Sequence, residues 1–183
     1  MDPSLVRTSK FLSLVLRHRP ERIGLTLDEH GWARVDELIE AANRSGKKLT
    51  LEMMQRTVAE NDKQRFSFSA DGTRIRANQG HSIQVDLQLE HANPPELLFH
   101  GTVERFIASI KAQGLLKRKR QYVHLSPDKE TATKVGQRRG EPVILTVSSA
   151  KMHQDGHVFY LSKNGVWLTD HVPVEYIDFP DIL

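Results

Sequence analysis

The chain of 183 residues contains no cysteine. Disulfides, thiolate nucleophiles and cysteine-ligated zinc are therefore excluded, and a reducing compartment, the cytoplasm, is expected. No apolar run approaches the ~18 residues of a membrane-spanning helix, so no membrane partner is expected. The opening M-D-P-S-L-V-R lacks the pattern of a secretory signal. Also missing are the G-x-G-x-x-G dinucleotide fingerprint, the P-loop and the H-E-x-x-H zinc motif. There is no G-x-S-x-G nucleophile elbow. His153 and His157 stand four apart, but Asp155 and Gly156 between them mark a turn, so no metal is expected there. No pair of carboxylates shares a polar strand face, which disfavours glycosidase-type chemistry. Internal repeats and low-complexity tracts are absent.

What remains is dominated by arginine and histidine. The formal net charge is only +3, yet the cations cluster: Arg17 to Arg22, Arg74 with Arg76, Lys117 to Arg120, and Arg138 with Arg139. Each cluster alone reads as a solvated basic face. Four of them in separate segments suit an anionic partner such as nucleic acid or a phosphorylated cofactor.

The length suits one large or two small domains. Residues 4–17 have an apolar stripe at helical spacing, ended by Pro20 because the residue before proline avoids helical angles. At its end stands Leu16-Arg17-His18-Arg19-Pro20. Cations there can complement the helix dipole, or two arginines flanking an imidazole can grip a phosphate. Val35, Leu38, Ile39 and Ala42 predict a second helix, and Thr50 caps a third. Arg65 to Ser69 and Thr73 to Ala77 form a hairpin about Asp71-Gly72. Three short helices followed by a hairpin is the order of a winged helix. Ile83, Val85, Leu87 and Leu89 alternate as a further strand. His91-Ala92-Asn93-Pro94-Pro95 is the best linker, which divides the chain into residues 1–93 and 94–183.

The second half reads as an α+β sheet domain with many short strands and two small helices. Leu97 to Thr102 is a strand, Val103 to Ile110 a helix capped by Gly114, and Ser126-Pro127-Asp128 opens a second helix ended by Gly136. Val143 to Val147 is a buried strand. Val158–Leu161 and Val166–Thr169 make a hairpin, and Val172 to Phe179 closes the chain as one strand. In R-Q-Y-V-H-L-S, Arg120, Tyr122, His124 and Ser126 share one face of a predicted strand. That face can be merely wet, or it can line a polar cleft. Arg120 and His124 would stand ~13 Å apart along it.

The residues now resemble a known family, the KptA-type RNA 2′-phosphotransferases. The signatures are L-R-H-R-P (16–20), D-E-H-G-W (28–32), D-K-Q-R-F (62–66), I-R-A-N-Q-G-H-S (75–82), F-H-G-T (99–102), R-Q-Y-V-H-L-S (120–126), V-G-Q-R-R-G (135–140) and N-G-V-W-L-T (164–169). The resemblance implies an N-terminal winged-helix lobe and a C-terminal ADP-ribosyltransferase-like lobe. It implies NAD⁺ as co-substrate, no metal, an RNA bearing an internal 2′-phosphate, and a monomer. The RNA phosphate would attack C1″ of the nicotinamide ribose to give a 2′-phospho-ADP-ribosylated RNA. Ribose O2″ would then release 2′-hydroxyl RNA and ADP-ribose 1″,2″-cyclic phosphate.

By the same resemblance Arg17, His18, Arg65 and Arg120 form the catalytic set. Arg65 is chosen over Arg76 on family spacing, and Arg120, at the start of the R-Q-Y-V-H-L-S strand, over Arg138. His100, Gly101 and Thr102 would meet the adenosine end of NAD⁺, and His124 and Ser126 the nicotinamide-ribose half. Arg138 would reach a pyrophosphate or ribose oxygen. Val166 stands where related transferases place a glutamate, which suits an acceptor that is already anionic. Phe99 and Tyr122 replace the tyrosine and histidine common in the family. Two other readings are an ADP-ribosyltransferase acting on terminal phosphates of RNA or DNA, and a winged-helix sensor of NAD⁺ or ADP-ribose without catalysis.

Overall fold

The computed structural model describes residues 2–180. They fold into two compact units, one ending at Gln88 and the other beginning at Leu89. Both are mixed α/β. Six α-helices and several small antiparallel sheets are present among the described residues. None of these helices is long and apolar enough to cross a membrane.

In the first unit α1 spans Pro3–Arg17, with the Asp2 carboxylate accepting the Ser4 N–H at its start. It buries Leu5, Leu12, Val15 and Leu16. The chain leaves it at His18, turns through a 3₁₀ segment at Pro20–Ile23, and exits on Gly24 at φ 67°, a left-handed angle that costs glycine nothing. A two-residue strand β1 (Ala33–Arg34), helix α2 (Val35–Arg44) and helix α3 (Leu51–Ala59) follow. Thr50 caps α3 by accepting the Met53 N–H. Strands β2 (Phe66–Phe68) and β3 (Arg74–Ala77) form the expected hairpin. The strand order is β1-β3-β2, all antiparallel. Leu12, Val15, Leu16, Leu38, Met54, Phe66 and Ile75 form the core. Each such side chain contributes about 1.5–3 kcal/mol when fully buried.

Residues 83–89, expected as a strand, pair with nothing in a ladder. Their alternation is nevertheless real, since Val85 and Leu87 are buried. Asp86 N–H donates to the Glu29 carbonyl, and Gln88 takes φ 53°, which ends the extended run before a ladder can form. The alternation therefore records burial on one side and not strand pairing. The division at Gln88/Leu89 precedes the expected boundary at Asn93. His91 bridges to Tyr160 and Ala92 N–H donates to the Phe159 carbonyl, so that segment is held within the second unit.

The second unit begins with β4 (Leu98–Thr102), a 3₁₀ turn at Glu104–Phe106, and α4 (Ile107–Gln113) ended by Gly114. Strand β5 (Leu115–Leu116), β6 (Val123–Leu125), α5 (Lys129–Gly136) and a 3₁₀ turn at Gln137–Arg139 come next. The chain continues through β7 (Val143–Val147), α6 (Ser149–Gln154), β8 (Tyr160–Leu161), β9 (Trp167–Thr169), β10 (His171–Val172) and β11 (Ile177–Asp178). Three sheets result, ordered β11-β7-β4, β6-β9-β8 and β10-β5. Phe99 and Ser126 exchange backbone bonds of 2.9 and 2.7 Å, which tie β4 to the end of β6. Leu98, Val123, Leu125, Leu145, Val147, Met152 and Phe159 pack together as a second core.

Three expectations are corrected here. The strand predicted over Arg120–Ser126 is only three residues long, because Arg118 at φ 54° and the Arg120 N–H to Lys117 carbonyl bond curl the chain before it. The strand predicted over Val172–Phe179 is split by Pro173 and a 3₁₀ turn at Val174–Tyr176, as a proline without an N–H requires. Among the described residues the unit has three α-helices and not two. Six-residue α6 is too short to display a helical period, and of its apolar residues only Met152 is deeply buried.

Candidate functional site

The chemistry-bearing residues fall into two clusters, one in each unit. The first forms at the end of α1. Arg17 is its last residue, where a cation complements the carbonyl end of the helix. Its Nη2 donates to the Arg65 carbonyl at 3.4 Å, and its guanidinium lies over the Phe66 ring at 5.8 Å. Arg65 leads into β2, and its Nη1 donates to Asn61 Oδ1 at 3.3 Å. His18 caps α1, with its N–H on the Leu14 carbonyl. Its ring Nδ1 lies 2.9 Å from Ser82 Oγ, while Ser82 N–H donates to the Arg17 carbonyl at 2.9 Å. The adjacent Arg17 and His18, then Arg65, then Ser82 are thus assembled from three distant parts of the chain. His18 and Arg65 share the wall of a cleft of about 520 Å³.

Sequence reasoning passed over two members of this cluster, Ser82 and His81. Both lie in the G-H-S element, whose residue types point to no particular chemistry by themselves. His81 is 1% exposed, and neither ring nitrogen has a hydrogen-bond partner. Burial, reinforced by the positive charge of Arg17, His18 and Arg76, pushes its pKa down to about 4. The imidazole is therefore neutral at pH 7. Arg76, the alternative to Arg65, is directed elsewhere. Its guanidinium stacks on Trp32 at 4.5 Å and Nη1 reaches the His30 carbonyl at 3.5 Å. Burial lowers its pKa.

The second cluster surrounds β4 and β6. His100 Nδ1 lies 3.0 Å from the His124 carbonyl oxygen, which can only accept, so Nδ1 bears the proton. Burial, with the charges of Arg139 and Arg120 adding to it, lowers the His100 pKa against the opposing effect of that bond. His100 is then neutral with Nε2 as its acceptor. Arg120 Nη1 lies 2.6 Å from His124 Nδ1. A guanidinium only donates, so His124 Nδ1 must accept. The ~13 Å separation expected from an extended strand is therefore wrong: the turn at 117–120 folds Arg120 back onto the imidazole four residues on. Burial and the neighbouring Arg139 and Arg138 lower the Arg120 pKa.

A cavity of about 470 Å³ has His100, Thr102, Arg120, Tyr122, His124 and Arg139 in its walls, with Phe106, Ile110 and Leu115 as apolar lining. Gly101, Ser126, Arg138 and Val166 do not line it. Gly101 has a packing reason to be glycine, since a Cβ would stand 1.8 Å from the Ala132 carbonyl oxygen of α5. Ser126 contributes its backbone to the Phe99 bridge. Val166 closes the turn before β9 by donating its N–H to Ser162 Oγ. Arg138 is exposed on the 3₁₀ turn, and its neighbour Arg139 faces the cavity. The R-R dipeptide signalled a cation here without saying which of the two would turn inward.

The arrangement offers fixed cations and neutral imidazoles, a donor set matched to phosphate oxygens and ribose hydroxyls. A family model described as RNA 2′-phosphotransferase, Tpt1 / KptA family, matches residues 3–171. A protein of Rhodopirellula baltica named probable RNA 2′-phosphotransferase is 61% identical over 180 residues, 98% of each chain. Proteins with the same name from Flavobacterium johnsoniae and Streptomyces coelicolor are 60% identical over 171 residues and 58% over 175. The first alignment covers 93% of this chain and 94% of the relative, the second 96% and 95%. On that coverage and identity, the chain belongs to the RNA 2′-phosphotransferase, Tpt1 / KptA family.

Proposed function

We propose that this protein is a transferase that removes an internal 2′-phosphate from RNA, with NAD⁺ as the acceptor. The observation that carries the reading is the joining of Arg17, His18 and Arg65 around the end of α1, in a chain whose relatives are named probable RNA 2′-phosphotransferase. The three-helix and hairpin order of the first unit supports a winged helix, and the small antiparallel sheets of the second support an ADP-ribosyltransferase-like lobe.

The second unit's cavity fits the nucleotide in its chemistry. Arg139 is a cation suited to a pyrophosphate, Arg120 stays with the catalytic set while lining the same cavity, neutral His100 presents an acceptor for a ribose hydroxyl, and Phe106 and Ile110 supply apolar surface. NAD⁺ supplies an electrophilic C1″ with nicotinamide as leaving group. The RNA 2′-phosphate oxygen bonds to C1″ as the C1″–N bond breaks, which gives a 2′-phospho-ADP-ribosylated RNA. The ribose 2″-hydroxyl then attacks phosphorus, its proton passing to solvent, and the bond to RNA O2′ breaks. ADP-ribose 1″,2″-cyclic phosphate and 2′-hydroxyl RNA are released, and no metal takes part. Arg17 and Arg65 neutralise the non-bridging oxygens as charge builds. His18, held through Nδ1 by Ser82, presents Nε2 to protonate the departing O2′.

The test is incubation with a 2′-phosphorylated oligoribonucleotide and NAD⁺, with products resolved by mass. Dephosphorylated RNA together with the cyclic phosphate is the expected result. Phosphate retained on the RNA with no nicotinamide released would reject the reading. A stable ADP-ribosyl adduct on a terminal phosphate, with no cyclic product, would assign the other transferase chemistry.

A further inference from the structure

The cleft that contains His18 and Arg65 is far larger than a phosphate group needs. It extends along α1, where Val6, Ser9, Lys10, Ser13 and Leu14 recur at helical spacing. From Val6 to Leu14 the helix axis advances about 12 Å before His18 is reached. The facing wall is the segment from Asn61 to Arg65, and the walls are tied together because buried Asn61 bonds to Ser9 Oγ and accepts from Arg65. The groove is therefore preformed. Its lining is mixed in a particular way. Val6 is an exposed apolar residue, and exposed Lys10 makes no ion pair among the described residues.

We propose that this groove holds the RNA strand flanking the phosphorylated nucleotide. Lys10 neutralises a neighbouring phosphodiester, Ser13 offers a hydroxyl to the same backbone, and Val6 with Leu14 covers a nucleoside. The proposal rests on the 2′-phosphotransferase reading, because His18 and Arg65 must hold the reacting phosphate at one end. A strand of alternating anionic and flat apolar parts suits a groove where the cations Lys10, Lys63 and Arg65 outnumber the one carboxylate, Asp62, beside aliphatic and hydroxyl groups.

The test compares a 2′-phosphorylated dinucleotide with a hexanucleotide carrying the same internal phosphate. The longer substrate is expected to have a KM lower by about tenfold, and Lys10→Glu to reduce that ratio to about twofold, while Lys10→Arg preserves it. For the hexanucleotide, Lys10→Ala should lower the slope of log KM against log salt by ~0.7, because one phosphate is no longer neutralised. Equal KM for both lengths in the unmodified protein, or an equal rise for both in Lys10→Glu, would overturn the proposal. Fluorescence anisotropy with a labelled 2′-hydroxyl hexanucleotide separates this question from the chemistry. If no 2′-phosphorylated RNA is turned over, the functional reading fails. In that case weaker binding by Lys10→Glu, read by anisotropy, still supports the groove, and unchanged binding rejects it.

Discussion

The two clusters use the same residue types but are built in opposite ways. Around α1 the parts come from positions 17, 65 and 82, and contacts between distant segments hold them. Around β6 the central pair is local: Arg120 and His124 lie four residues apart and meet because a turn folds the chain back. Their histidines differ as well. His18 is exposed and tied by Ser82, whereas His100 is set in one tautomer by a backbone carbonyl. The inward imidazole of His100, with its lowered pKa, serves as a fixed acceptor. Under the proposed function, proton transfer falls to the first cluster and recognition to the second.

The largest effect expected from breaking this contrast is on turnover. His18→Ala should slow release of 2′-hydroxyl RNA by about 10²–10⁴-fold, the range for loss of a general acid. ADP-ribosylated RNA should accumulate on a gel, because formation of the adduct requires no proton from His18. Equal loss of both steps would make His18 a binding residue.

Next comes packing. Gly101→Ala places a Cβ against the Ala132 carbonyl, backbone that cannot swing aside. A loss of about 2–3 kcal/mol is expected from overpacking, read by urea denaturation. In the first unit Gly72 has open space but a φ of 71°, so Gly72→Ala should cost only about 1 kcal/mol of backbone strain. Comparable losses would show that α5 can retreat from β4.

Acid stability sharpens the electrostatic half of the contrast. His81 has a pKa lowered from 6.5 to about 4, so the unfolded chain binds this proton more readily than the native one. Its neutral burial is fully tolerated above pH 6.5 and becomes progressively destabilising as pH falls toward 4. By pH 4 the loss amounts to about 3 kcal/mol. In His81→Gln this part of the loss should vanish, making the difference in stability between pH 7 and pH 4.5 smaller than in the parent. An unchanged difference would mean that His81 is not the titrating group.

The smallest effect concerns Ser82. Removing one hydrogen bond costs about 1 kcal/mol, so Ser82→Ala should lower kcat for the second step about fivefold, shift its pH profile, and leave KM nearly unaltered. Ser82→Thr should restore both. A change in KM alone would show that Ser82 does not act through His18.

Much of the first unit was legible because its signals are local. The apolar stripe of α1, the Thr50 cap and the Asp71-Gly72 turn each act over a few residues. The failures occurred where local pattern and pairing part company. Val85 and Leu87 alternate and are buried without joining a sheet, and Pro173 interrupts an otherwise strand-like run. Arg17, His18 and His100 stood out as residue types in unusual places. His81 did not, since nothing in a G-H-S tripeptide announces burial.

From the sequence alone came the absence of thiol chemistry, the arginine and histidine vocabulary, and the order of elements, because composition and periodicity are properties of short stretches. The tertiary structure decided that Arg139 and not Arg138 lines the cavity, that Arg65 and not Arg76 shares the cleft with His18, and that Arg120 meets His124. It also decided which nitrogen of His100 carries the proton. Each of these depends on how far a backbone turns before a side chain leaves it, and on what distant segment then lies within hydrogen-bonding reach. No periodicity encodes either quantity.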